Sequence, residues 1–132
     1  IFNEFKFAKM TSRYSAIEDL IFSYPIGKKC KLIYSIDLTV HMQNREIAHD
    51  SYFYRAFYTN LHRRYFINKY SEFSKNLFYI NIVFFISYHF LKLNHKLHRN
   101  YFRGNLTSLL YLIFFEIFNF FKLIDDDWLI NQ

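Results

Sequence analysis

The chain has 132 residues, a formal net charge of +6 and a single cysteine. That length allows one domain with a modest core and excludes a second. Cys30 stands alone, which excludes an intramolecular disulfide and a cysteine-based metal site, while the positive balance favours a polyanionic partner.

Phe, Tyr, Ile, Asn and Lys make up half of the chain, whereas Gly, Ala, Pro and Arg are scarce. The first group has A/T-rich codons, so the skew reads as the mark of an AT-rich, organellar genome rather than a demand of the fold. Charge is uneven: residues 1–105 carry +9 and residues 106–132 carry −3. The acidic end argues against adsorption of the whole chain to an anionic membrane surface. No signal-peptide pattern is visible at the polar, mixed-charge start.

Residues 1–12 lack a clear period and read as an N-terminal extension. Ser12 is placed to cap a helix over Arg13 to Ser23, with Ile17, Leu20 and Ile21 at helical spacing. Pro25 and Gly27 then punctuate, which predicts a turn at Tyr24–Gly27 where Gly27 permits a positive φ. A new helix is expected from Lys28 to around Ile36, although the alternation after Lys31 also fits a strand. Lys28, Lys29 and Lys31 would lie on its first turn and oppose the helix dipole. That suggests a nearby anion, with a solvated lysine face as the plainer reading.

His41 to Asp50 is polar and reads as a loop. His49, Asp50 and Ser51 are contiguous and have no elbow motif, so they make no catalytic triad. Tyr52 to Tyr65 reads as a helix, with Phe53, Phe57 and Leu61 on one face and His62, Arg63 and Arg64 at its end. Ser71 to Leu93 is the strongest helix, and Leu106 to Ile124 is a second apolar run broken by Glu116, Asn119 and Lys122. The uncharged stretch Asn76–Leu91 is 16 residues long, short of the roughly 20 that span a bilayer. Glu116 would be costly in lipid unless paired. A hairpin of two tight membrane helices joined by a basic loop is the alternative architecture.

Between the two apolar runs lies Tyr88–Thr107, which carries Lys92, Lys96, Arg99 and Arg103 with His89, His95 and His98 and no acid. Tyr88, Tyr101 and Phe102 sit among these charges, and Gly104 marks a place where backbone can approach a partner closely. Cations interleaved with stacking surfaces suit a phosphate backbone, although a solvated loop between helices explains the pattern equally well. The six histidines are otherwise scattered. His95 and His98 at i, i+3 lack a cysteine or acidic neighbour for a metal. No enzyme, cofactor or metal is expected. Leu109, Leu112, Ile113, Ile117, Phe120 and Phe121 recur at helical spacing on what is expected to be an extra C-terminal helix. Such a face must be covered, so it is expected to pack on a neighbouring protein, with Asp125, Asp126 and Asp127 away from phosphates.

Two segments carry a resemblance. Ser23-Tyr24-Pro25-Ile26-Gly27-Lys28 resembles the I-Y-G-[IV]-G-K turn of the ribosomal protein S-thirteen family, from the head of the small subunit. Tyr88–Thr107 resembles that family's C-Y-R-G-x-R-H…P-V-R-G-Q-R-T segment. Tyr88 stands at its Tyr, Lys92 at the first downstream Arg, Arg103-Gly104-Asn105 at R-G-Q and Thr107 at T. The distance from Tyr24 to Tyr88 is close to that in bacterial members. Phe7 to Leu20 follows the opening segment in apolar spacing alone, and the likeness spans residues 7–108. Pro25, Phe90 and Leu106 depart from it, replacing two glycines and an arginine. After Thr107 the family continues as an extended basic tail, whereas this chain turns apolar and ends acidic.

The resemblance implies an all-α protein: a small helical domain with a helix-turn-helix-like part, a long helix and a basic extended stretch, to which this chain adds its C-terminal helix. It implies a single ribosomal domain over 1–132, with 1–12 as extension and 108–132 as the divergent helix. It implies a structural, non-enzymatic constituent of the mitochondrial small subunit that binds ribosomal RNA in the head, beside S-nineteen-like and, across a subunit bridge, L-five-like proteins. The RNA-binding set is then Lys28, Lys29, Lys31, Lys92, Lys96, Arg99, Arg103, Gly104, Asn105 and Thr107. Asn105 and Thr107 would hydrogen-bond backbone or base edges, and Tyr101 and Phe102 would stack on unpaired bases.

Overall fold

A computed structural model of the protein describes residues 18–30, 51–121 and 124–129. Among them the chain is all-helical: α1 (Glu18–Lys29), α2 (Ser51–Lys69), α3 (Lys75–Phe90), α4 (Lys96–Phe120) and a single 3-10 turn, η1 (Asp126–Leu129). The extension 1–12, Lys31 and the loop around His41 lie outside the described residues.

α2 and α4 cross in close contact and form the centre, and α3 runs antiparallel to α4 beside them. Leu61, Tyr65 and Phe66 of α2, Phe78 and Ile82 of α3 and Leu112 and Phe115 of α4 meet in the core. α1 adds Ile21, and η1 adds Leu129. Ser74 caps α3 by accepting a bond from the Leu77 amide at 3.3 Å, which satisfies one of the orphan donors of its first turn. The acidic C-terminal end folds back onto the body: Trp128 stacks on Tyr111 at 4.7 Å and on Phe115 at 5.8 Å.

Three expectations need correction. The turn at Tyr24–Gly27 is absent, because α1 runs through Pro25 and Gly27 to Lys29. Pro25 removes one intrahelical bond, yet packing holds the helix past it. Ile21 is buried, and Tyr24 lies 4.6 to 5.4 Å from the rings of Tyr70, Phe66 and Phe73. A helical Gly27 needs no positive φ. The basic stretch is not extended either: from Lys96 onward it is helix and continues without a break into the supposed extra helix. That helix is therefore the middle of the domain. Leu112 is buried and Leu109 partly buried within the chain's own core, while Ile113, Ile117, Phe120 and Phe121 stay exposed.

Candidate nucleic-acid interface

The inner side of α4 explains why its basic part is displayed outward. A Cβ on Gly104 would fall 2.4 Å from the Phe53 carbonyl oxygen and 2.9 Å from the Ala56 Cβ, so the glycine sets how closely α2 and α4 cross. One turn on, Asn60 donates through Nδ2 to Asn105 Oδ1 at 2.9 Å and to Ser108 Oγ at 2.8 Å. Asn105 Nδ2 donates to the Tyr101 carbonyl, and Ser108 Oγ to the Asn105 carbonyl, both at 2.8 Å. Further along, Arg64, fully buried, donates through Nε to Glu116 Oε1 at 2.6 Å and also through Nη2, while Tyr79 donates to the same oxygen at 2.8 Å. Burial and the bond to Glu116 push the Tyr79 hydroxyl up to about 12. The crossing thus sets polar contacts among the apolar side chains of the core, and the buried Arg64 Nη1 has no hydrogen-bond partner.

Gly104 and Asn105 face this interior, so their expected contact with RNA gives way to a contact with α2. Thr107 is exposed on the outer side. Tyr101 and Phe102 are also engaged within the chain. Tyr101 stacks on His89 at 5.0 Å, and Phe102 lies 5.8 Å from Phe90. The exposed rings near the turn are Tyr88 and Phe90 instead.

The cations of the α3–α4 turn point the other way. Lys96, Arg99 and Arg103 stand at i, i+3 and i+7 of α4 and are all exposed, a row of about 10 Å at 1.5 Å per residue. Lys92 extends the row into the turn, donating to the Tyr88 hydroxyl at 2.7 Å with its ammonium 4.2 Å from that ring's centre. Between residues 51 and 121 there are nine Lys/Arg and two acids. Both acids are taken, Glu72 by Lys28 and Glu116 by Arg64. No ion pair among the described residues engages Lys96, Arg99 or Arg103.

The position of the row matters. It occupies the first two turns of a 25-residue helix whose first turn has no acid and whose N-cap, His95, makes no side-chain cap bond. Orphan amides and the positive end of the dipole lie beside like charges, an arrangement that an anion relieves. From the sequence, Lys28 and Lys29 are expected at such a helix start. The structure places those two at the C-terminal end of α1, where cations suit the dipole. Lys28 pairs with Glu72, which also accepts from the Tyr24 hydroxyl at 2.5 Å. The two donors hold the Glu72 carboxyl down at about 2. Lys31, the third of that set, lies outside the described residues.

Beside the row, His89 Nδ1 and His98 Nδ1 are 2.8 Å apart, so one ring donates and the other accepts. Burial, then His98 and Lys92, pull His89 below the usual histidine range. His95 lies 6.0 Å from His98 between ring centres. Among the described residues no group of three His, Cys, Asp or Glu side chains could hold a metal.

Sequence reasoning missed the polar crossing, although Glu116 in an apolar run was a signal that a partner was needed, and Arg64 is that partner. Comparison with protein-family models, curated proteins and solved structures finds no match.

Proposed function

We propose that the protein is a structural RNA-binding component of a ribonucleoprotein particle and binds RNA phosphates with the α3–α4 turn and the first two turns of α4. One observation carries the reading: Lys92, Lys96, Arg99 and Arg103 form an acid-free, outward row at an uncapped helix N-terminus. Tyr88 and Phe90, exposed beside the row, supply stacking surfaces for unpaired bases. Thr107, exposed one turn beyond Arg103, extends the set along α4. The resemblance supplies the setting, the head of a mitochondrial small ribosomal subunit in the matrix, with S-nineteen-like and L-five-like neighbours. No catalytic role is part of the proposal.

The direct test is the salt dependence of binding between the full chain and small-subunit RNA. Four phosphate contacts give a slope of log affinity on log salt of roughly −3. A flat dependence overturns the reading. Co-migration of the protein with small-subunit particles on a gradient, lost on RNase treatment, tests the setting.

A second reading rests on its own observation: the outer faces of α3 and α4 are apolar, with Leu77, Ile80, Phe84, Leu110 and Phe114 all exposed. These faces would suit a small subunit of a mitochondrial membrane complex. No helix among the described residues is long and apolar enough to cross a membrane. Extraction by alkaline carbonate separates the two: a ribonucleoprotein component is released, and an embedded hairpin stays with the bilayer.

A further inference from the structure

One side-chain cluster beside the cation row has no part in the binding set so far. His89 on α3 and His98 in the first turn of α4 approach through their Nδ1 atoms to 2.8 Å. His89 is buried, with its ring nearly parallel to that of Tyr101 at 5.0 Å, and His98 is half-buried. Tyr88 makes edge contacts with both rings, at 5.1 and 5.9 Å. The two imidazoles are thus held in place, and their bond lasts only while a single proton lies between the two nitrogens.

That geometry limits how protons are held. In the neutral pair one ring donates Nδ1–H, so its own Nε2 is bare, and the other accepts with its proton on Nε2. A proton from solvent can fill the bare Nε2. The bond then survives and becomes charge-assisted. A second proton would set two Nδ1–H groups against each other at 2.8 Å, so the pair takes one and refuses the next. The charge settles on His98, because His89 would have to carry it buried.

The surroundings decide when that proton comes. Tyr88 of α3, Lys92 of the turn, and His95 and Tyr101 from the start of α4 face the pair, with Tyr52 of α2 behind Tyr101. Lys96 and Arg99 flank His98 along the helix. No carboxylate among the described residues joins them: Glu72 is tied to Lys28, Glu116 to Arg64, and Asp125 accepts from the Trp128 amide. A cationic neighbourhood opposes a further positive charge. Burial, then His98 and Lys92, already pull His89 below the usual histidine range. A phosphate bound on the row supplies the negative charge that the pair lacks and favours the imidazolium.

We propose that the His89–His98 pair is a proton-linked part of the phosphate site: an RNA phosphate bound at Lys92, Lys96 and Arg99 takes up one proton, which His98 carries. The inference rests on the reading of the row as an RNA site, and adds that this site binds more tightly on the acid side of neutrality.

The affinity of the full chain for small-subunit RNA, measured at constant salt from about pH 8 to about pH 6, tests it across the ordinary histidine value. Affinity is expected to rise as pH falls, by up to about tenfold per pH unit, the limit for one proton. His98→Gln removes the gain while circular dichroism stays helical, whereas His95→Gln, at the exposed neighbour, keeps it. In the free chain at the alkaline end, one of the two rings shows the Nδ1–H tautomer by NMR of the ring nitrogens. A parent whose affinity ignores pH while its salt slope stands overturns this inference alone, and a flat salt slope overturns the RNA reading with it. A gain that survives His98→Gln, a gain lost in His95→Gln, or both rings found as the Nε2–H tautomer also overturns it.

Discussion

The inner side of α4 sets polar contacts among buried apolar side chains, whereas its outer side carries cations and an exposed apolar run. Toward α2 the helix presents Gly104, Asn105, Ser108 and Glu116, each matched by a close approach or a hydrogen bond. Away from the body it presents a cation row and then a run of exposed Leu, Ile and Phe. Buried polar groups are tolerable where they are paired, and the pairs fix one register of the crossing. An exposed apolar face of this extent is tolerable only when something covers it. The inner side therefore specifies the fold, and the outer side is left exposed.

The sharpest way to break the comparison is to damage the inner side. Arg64→Met leaves the Glu116 carboxylate partly buried without its cation and is expected to cost about 3 kcal/mol in denaturant unfolding. The double variant Arg64→Met/Glu116→Leu is expected to recover most of that loss, because a packed apolar pair replaces the ion pair. Next comes Gly104→Ala, whose added methyl pushes α2 from α4 and costs about 2 kcal/mol. Its counterpart Gly27→Ala, on the exposed part of α1, is expected to stabilise by about 0.5–1 kcal/mol. If the two alanines act alike, the close crossing at Gly104 is not what holds α4 in place.

Two pH effects sharpen the account further. His89 is held below its usual range in the folded state, so the unfolded chain binds more protons as pH falls below the ordinary histidine value. Stability is expected to decline from neutral pH downward through that range, and His89→Phe to flatten the decline. Glu72 sits at about 2 when folded, so the tie from α1 is complete above the ordinary carboxylate range and is lost as pH approaches 2. Tyr24 fluorescence on acidification, compared with Glu72→Gln, reads that smaller effect.

Much of the architecture was legible because periodicity reports burial. Phe57, Leu61 and the apolar run before Tyr88 placed α2 and α3, and the all-helical class follows from them. Two readings failed for one reason: local punctuation was weighed without the packing that overrides it. Pro25 and Gly27 look like a break, yet Ile21 and Tyr24 anchor the helix before Pro25 and the Lys28–Glu72 pair ties it down after. Arg103-Gly104 looks like a flexible approach to a partner, yet the missing side chain accommodates Phe53 of the same chain. The cation row was visible as composition. That Lys96, Arg99 and Arg103 share one face became clear only once the segment proved helical.

In the proposed function the cation row binds phosphates while contributing nothing to the fold. Arg99→Gln/Arg103→Gln tests it through the slope of log RNA affinity on log salt, measured beside the parent with melting as a control. Two lost phosphate contacts reduce the slope by roughly 1.5 with melting unchanged. An unchanged slope, or a loss of affinity that tracks unfolding, contradicts the account.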